Sequence, residues 1–113
     1  MNDKELLELA AKAAGYEFSE WGSDYYSDGP YGDEVKHGLM IEGIAWNPLT
    51  DDGDALRLAV KLEIGALISS NFVYIKSYYD EKPTLREPLG NDPYVATRRA
   101  IVRAAAEIGK AMQ

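Results

Sequence analysis

Two periodicities alternate along the chain, and that alternation limits the folds open to it. Leu6, Leu7, Ala10, Ala11 and Ala14 recur at helical spacing, with Asn2 or Asp3 placed to cap the start and Gly15 to stop the end. The run HGLMIEGIAW at 37–46 reads as an apolar strand interrupted by Gly43, and Asn47-Pro48 then turns the chain. Thr50, Asp51 or Asp52 caps a second helix that runs to about Leu62. Its expected inward side carries Ala55, Leu56, Ala59, Val60 and Leu62, and its outward side Asp54, Arg57 and Lys61. IGALIS (64–69) and NFVYIKSYY (71–79) read as two strands or one bent strand, with Phe72, Tyr74 and Lys76 on a common face. KPTLREPLG supplies an edge strand, because Pro83 and Pro88 have no N–H for an interior ladder. Asp92-Pro93 opens a last helix that extends to about Ala111.

The expected order is therefore α-β-α-β-β-α, a single α+β domain over residues 1–113 in which about three helices cover a short, mainly antiparallel sheet. A chain of 113 residues holds one core, and 46% hydrophobic residues suffice to build it. The helices are short and alanine-rich, so each needs a close neighbour to be stable.

Residues 16–35, YEFSEWGSDYYSDGPYGDEV, break both periodicities. Gly22, Gly29, Pro30 and Gly32 mark the stretch, extended to about residue 36, as an acidic aromatic loop. Loops of this length are uncommon in compact domains unless they serve a function. The net charge of −7 resides here: nine acids face two bases in residues 1–35, whereas residues 36–113 hold ten of each. Phosphate backbones are repelled by such a surface, so nucleic acid is not an expected partner. A basic protein partner is, met through Trp21, Asp24, Tyr25, Tyr26 and Tyr31 with support from Asp28 and Asp33. One form of this expectation is imitation of DNA charge.

The chemistry-bearing residue types are sparse. Without cysteine there is no thiol nucleophile or cysteine-based metal site, and His37 is the one histidine. His37 and Glu42, five positions apart, fall on opposite faces of a regular strand, and no nucleophile elbow or phosphate loop occurs. Neither an enzyme, a metal nor a cofactor is expected. Asp51, Asp52 and Asp54 offer oxygens to a hard cation, but capping of a helix start accounts for the same acids. The alternative to a protein partner is an anion site for a nucleotide or other phosphate-bearing ligand. Trp46, Arg57, Arg99 and Arg103 would form it, with Lys61, if the second and last helices lie side by side.

Two segments, WNPLTDDGDALRLAVKL and NDPYVATRRAIVRAAAEIGKAM, with LLELAAKAAG more weakly, resemble those of the phage ABA-sandwich domain family of small phage and prophage proteins. The resemblance spans residues 44–63 and 91–112. It implies helices on a small sheet and an origin in a phage or prophage, and it brings no catalytic residues. The combined expectation is a non-enzymatic phage accessory protein in the host bacterial cytoplasm. It would bind a host or phage protein, without membrane association, and homo-oligomerisation is open to it. No apolar run reaches the roughly 20 residues that span a bilayer, and the acidic start does not resemble a signal peptide.

Overall fold

The computed structural model describes the backbone of residues 1–29, 32–76 and 84–112, and the side chains of 1–24, 35–76 and 84–112. The architecture is α+β. It comprises α1 (Asp3–Ala14), β1 (Trp21–Gly29), β2 (Gly32–Ile41), β3 (Ile44–Trp46), α2 (Asp52–Leu62), β4 (Gly65–Ile68), β5 (Phe72–Lys76), β6 (Leu85–Pro88) and α3 (Pro93–Ala111). The strands form two antiparallel three-stranded sheets, β1-β2-β3 and β4-β5-β6, in place of the one sheet expected.

The helix ends follow the chemistry of their caps. Asn2 accepts from the Glu5 N–H at 2.8 Å, while the Glu5 carboxylate accepts from Asn2 Nδ2 at 3.0 Å. Asp51 caps α2 through the Asp54 N–H, and Asp92 caps α3 through the N–H groups of Tyr94 and Val95, with Pro93 in the first turn. Gly15 closes α1 at φ +76°. Between β2 and β3, Ile41 pairs with Ile44 across a two-residue turn. Glu42 and Gly43 both take positive φ (+52° and +79°), as a type I′ turn requires. Glu42 thus lies in a turn rather than on the strand that the sequence suggested.

The core joins all layers through Leu7, Leu39, Leu58, Val73 and Val102, each fully buried. Helices α1 and α3 pack through alanines: Ala10, Ala11 and Ala14 on one, Ala100, Ala104 and Ala105 on the other. At Gly109 the approach is so close that a Cβ would lie 2.0 Å from the Leu9 carbonyl oxygen. Among the described residues no helix is long and apolar enough to cross a membrane.

Two sequence expectations change here. Within the stretch 16–35, Trp21–Gly29 is a strand and Gly32–Val35 begins its partner, with Trp21↔Leu39, Ser23↔His37, Asp24↔Lys36 and Tyr25↔Val35 in register. Its glycines, serines and acids hide the alternation because most of this ribbon lacks a third strand. Strand β3 pairs only with Leu39–Ile41. The radius of gyration is 14.1 Å, against about 13 Å for an average domain of this length.

Helix α2 is also rotated from expectation. Asp54, Ala55, Leu58 and Ala59 face inward, leaving Leu56 and Val60 exposed. An acid in the first turn of a helix can be drawn inward when a cation meets it, and Lys36 meets Asp54 in this way.

Candidate functional site

Of the contact residues expected from sequence, Trp21 and Asp24 lie in the inner part of the β1–β2 ribbon, on its two faces. On one face, neighbouring strands align Trp21, Leu39 and Trp46 in a row. Leu39 and Trp46 are buried, and Trp46 meets the Tyr16 ring edge-on at 5.6 Å. Trp21 is the outer end of this row and stays 40% exposed. The next pair along the same face is Ser23 and His37, whose Oγ and Nδ1 are 2.8 Å apart. Between this face and the first turn of α1 lies an open cleft of about 920 Å³, bounded by Trp21, His37, Asn47 and Thr50 on one side and by Asp3, Lys4 and Leu7 on the other.

On the opposite face, Lys36 reaches into the body and its side chain is only 10% exposed. Its Nζ donates to Asp54 Oδ2 at 2.5 Å and to Asp51 Oδ2 at 2.9 Å. Asp54 is itself buried. Its Oδ2 accepts from the Asn47 N–H at 2.9 Å, and its Oδ1 from Arg57 at 2.8 Å. Asn47 completes the cluster by donating from Nδ2 to the His37 carbonyl and accepting from the Leu49 N–H. Among the described residues no buried side-chain polar atom lacks a partner. Partial burial pushes the Asp51 carboxyl up. The hydrogen bond from Lys36 and the N–H groups of Asp54 and Gly53 outweigh it, so the pKa falls below the usual carboxylate value. The Arg57 guanidinium is held above its usual value by the Asp54 hydrogen bond, against slight desolvation.

This cluster fixes the ribbon to the start of α2. Asp24 shares the Lys36 face, so it points away from the Trp21 cleft. The backbones of Tyr25, Tyr26 and Asp28 lie in β1 and that of Asp33 in β2, with their side chains outside the described residues; Tyr31 lies outside them altogether.

The alternative anion site does not assemble. Trp46 is in the core. Arg57 pairs with Asp54, Arg99 with Asp3 on α1, and Arg103 with Glu87 on β6. Lys61 lies over the Tyr16 ring, 4.3 Å from its centroid. Arg98 fastens α3 to the turn before α2, donating to the Leu49 carbonyl at 2.8 Å and pairing with Asp52 at 2.6 Å. Arg98, Arg99 and Arg103 are thereby committed to separate seams of the fold, and Arg57 to an acid of its own helix. Asp51, Asp52 and Asp54 are likewise occupied by capping and by these cations.

Sequence reasoning missed three contributors: Ser23, Lys36 and Asn47. Ser23 and His37 meet because strands β1 and β2 pair in a register that puts them opposite, and the one signal visible in the sequence was the run of turn-forming residue types Gly-Pro-Tyr-Gly at 29–32. A serine hydroxyl on an imidazole has the elements of a nucleophile and its base. Among the described residues, however, no carboxylate hydrogen-bonds the His37 ring to orient it. Comparison with protein-family models, curated proteins and solved structures returns no match.

Proposed function

We propose that this is a non-enzymatic binding protein of phage or prophage origin that recognises a basic protein partner through the β1–β2 ribbon and the cleft at its base. One observation carries the reading. An acidic two-stranded ribbon outruns its third strand while holding a tryptophan 40% exposed above an open cleft. A two-stranded ribbon alone in water is marginally stable. Here the Lys36 cluster anchors its base, which leaves the outer part available to a partner. Exposed tryptophan supplies large contact area at low entropic cost, and the surrounding acids favour a basic surface and speed encounter with it. The phage origin rests on the resemblance of the 44–63 and 91–112 segments.

The test is affinity capture from bacterial lysate with the wild-type chain, Trp21→Ala and Asp24→Asn as baits. Both variants must keep the wild-type melting curve to count. The expected result is a basic protein retained by the wild type, released as salt shortens the Debye length below about 10 Å, and lost with Trp21→Ala. Identical retention by all three baits would refute the reading.

A further inference from the structure

We infer that Ser23 is a reactive hydroxyl, a modification site that takes an acyl group from a neutral activated ester or thioester while His37 receives the proton. The inference requires no partner protein, so it stands or falls separately from the recognition proposed for the ribbon.

The hydroxyls of the chain differ in what they touch. Ser19 Oγ donates to the Met40 carbonyl and Ser69 Oγ to the Phe72 carbonyl, while Thr50 and Thr97 donate to the carbonyls of Asn47 and Pro93. A carbonyl oxygen accepts a hydrogen bond but is too weak a base to take the proton. Among the described hydroxyls Ser23 alone lies on a base, with its Oγ 2.8 Å from His37 Nδ1. Both side chains are exposed, so a reagent reaches the pair from solvent. Nε2 of the ring meets no protein group among the described residues. With the imidazole proton on Nε2, the lone pair of Nδ1 faces the Ser23 O–H.

The backbone holds this pair in place. Ser23 and His37 are register partners on β1 and β2. On one side of His37, Lys36 is clamped by Asp51 and Asp54 on the opposite face of the ribbon. On the other side, Gly38 brings β2 so close to β3 that a Cβ there would lie 2.3 Å from the Trp46 carbonyl oxygen. The His37 carbonyl itself accepts from Asn47 Nδ2 at 2.9 Å. A nucleophile and base held within reach before the reagent arrives need not be brought together in the reaction step.

Charge and shape choose the reagent. Residues 1–35 carry the whole −7 of the chain, and Asp24 adjoins Ser23, so phosphoryl donors are repelled and neutral acyl donors are not. The cleft that His37 borders, about 920 Å³, offers an acyl chain the apolar side chains of Trp21, Leu7 and Leu49. In the step, Ser23 Oγ bonds to the acyl carbon and the bond from that carbon to the leaving oxygen or sulfur breaks. Its electron pair departs with the leaving group, the Ser23 proton passes to Nδ1, and the imidazolium then returns it to water. Among the described residues no carboxylate orients the ring for a second, hydrolytic step. The acyl group therefore stays on Ser23, a single modification rather than turnover.

The experiment treats the full chain with p-nitrophenyl acetate at about pH 7.5, where imidazole bases are largely neutral. It follows intact mass, nitrophenolate release and, by peptide mapping, the residue modified. The wild type should gain one acetyl group at Ser23 and release one equivalent of nitrophenolate, and Ser23→Ala should lose that adduct. His37→Gln keeps a neutral hydrogen-bonding side chain but no base. It should acylate Ser23 at least about tenfold more slowly, a smaller factor than the roughly 10²–10⁴ of an oriented general base. Acetylation of Ser23 no faster than that of Ser19 or Ser69 would overturn the inference. So would an unchanged rate in folded His37→Gln, or adducts on lysines and the N-terminus alone. If either variant does not fold, the comparison of Ser23 with Ser19 and Ser69 in the wild type decides.

Discussion

Replacing Asp54 with alanine removes the acceptor on which the base of the ribbon is built. The carboxylate receives Lys36, Arg57 and the Asn47 N–H, and both it and Lys36 are largely shielded from water. Breaking a buried ion pair by deleting one partner costs about 3–5 kcal/mol, because the remaining charge is left in a poor solvent. Asp51 stays 2.9 Å from the ammonium and softens that loss. The lower end, about 3 kcal/mol, is therefore expected, with the loss of an acceptor for the Asn47 N–H included. For a domain of this size the loss lowers the melting temperature by roughly 12 °C. The assay is urea unfolding with an unchanged m value, so that the shift in midpoint reports stability alone. Arg57→Ala removes a guanidinium that is 69% exposed and should cost less than about 1 kcal/mol. The double change Lys36→Met with Asp54→Leu removes both charges and should regain most of what Asp54→Ala loses. If Asp54→Ala costs no more than Arg57→Ala, the cluster is not shielded and the reasoning fails.

Three further outcomes are expected. Gly109→Ala should destabilise by about 1–3 kcal/mol in thermal unfolding, since its Cβ would lie 2.0 Å from the Leu9 backbone oxygen; helix propensity alone predicts a gain of about 1 kcal/mol, so the sign decides. Glu42→Gly should stabilise by a few tenths to about 1 kcal/mol, because Glu42 holds φ +52° in a turn that glycine enters freely. Asp51→Asn should narrow its stability gap to the wild type as pH falls. The folded pKa of Asp51 lies below its unfolded value, so its contribution is full above the ordinary carboxylate pKa and fades as pH drops through the folded one. A gap that is flat from pH 7 to pH 2 would contradict the assignment.

The three helices were legible because their signals are local. Asn2, Asp51 and Asp92 sit at helix starts, Pro93 in a first turn and Gly15 at a helix end. Strands β4 and β5 were legible from the apolar runs at 64–69 and 71–79, of which 77–79 lie outside the described residues, and the alternation of Phe72, Tyr74 and Lys76 against Val73 and Ile75 matches the burial seen in β5. The ribbon was not legible. Trp-Gly-Ser-Asp-Tyr-Tyr-Ser-Asp-Gly carries no period-two pattern, since a strand outside a layered core has no single face to bury. The division into two sheets depends on pairing between distant segments, to which no local motif points. The rotation of α2 escaped for the same reason. Lys36 lies 18 residues from Asp54, and only the folded chain shows that the acid turns inward while Leu56 and Val60 turn out. Of the expected contact residues, Trp21 and Asp24 are placed on opposite faces of one strand, and the cleft beside Trp21 draws on Asp3, Lys4 and Thr50, which no motif connected to it.

The most direct test of the proposed recognition surface is a photo-reactive amino acid placed at Trp21 and, separately, at Tyr94, with cross-linking in living bacterial cells. Both positions are accessible, but only Trp21 borders the cleft. A discrete adduct to one basic protein from position 21, and none from position 94, is the predicted result. Adducts from position 94 alone, or the same diffuse pattern from both, would contradict recognition through the ribbon.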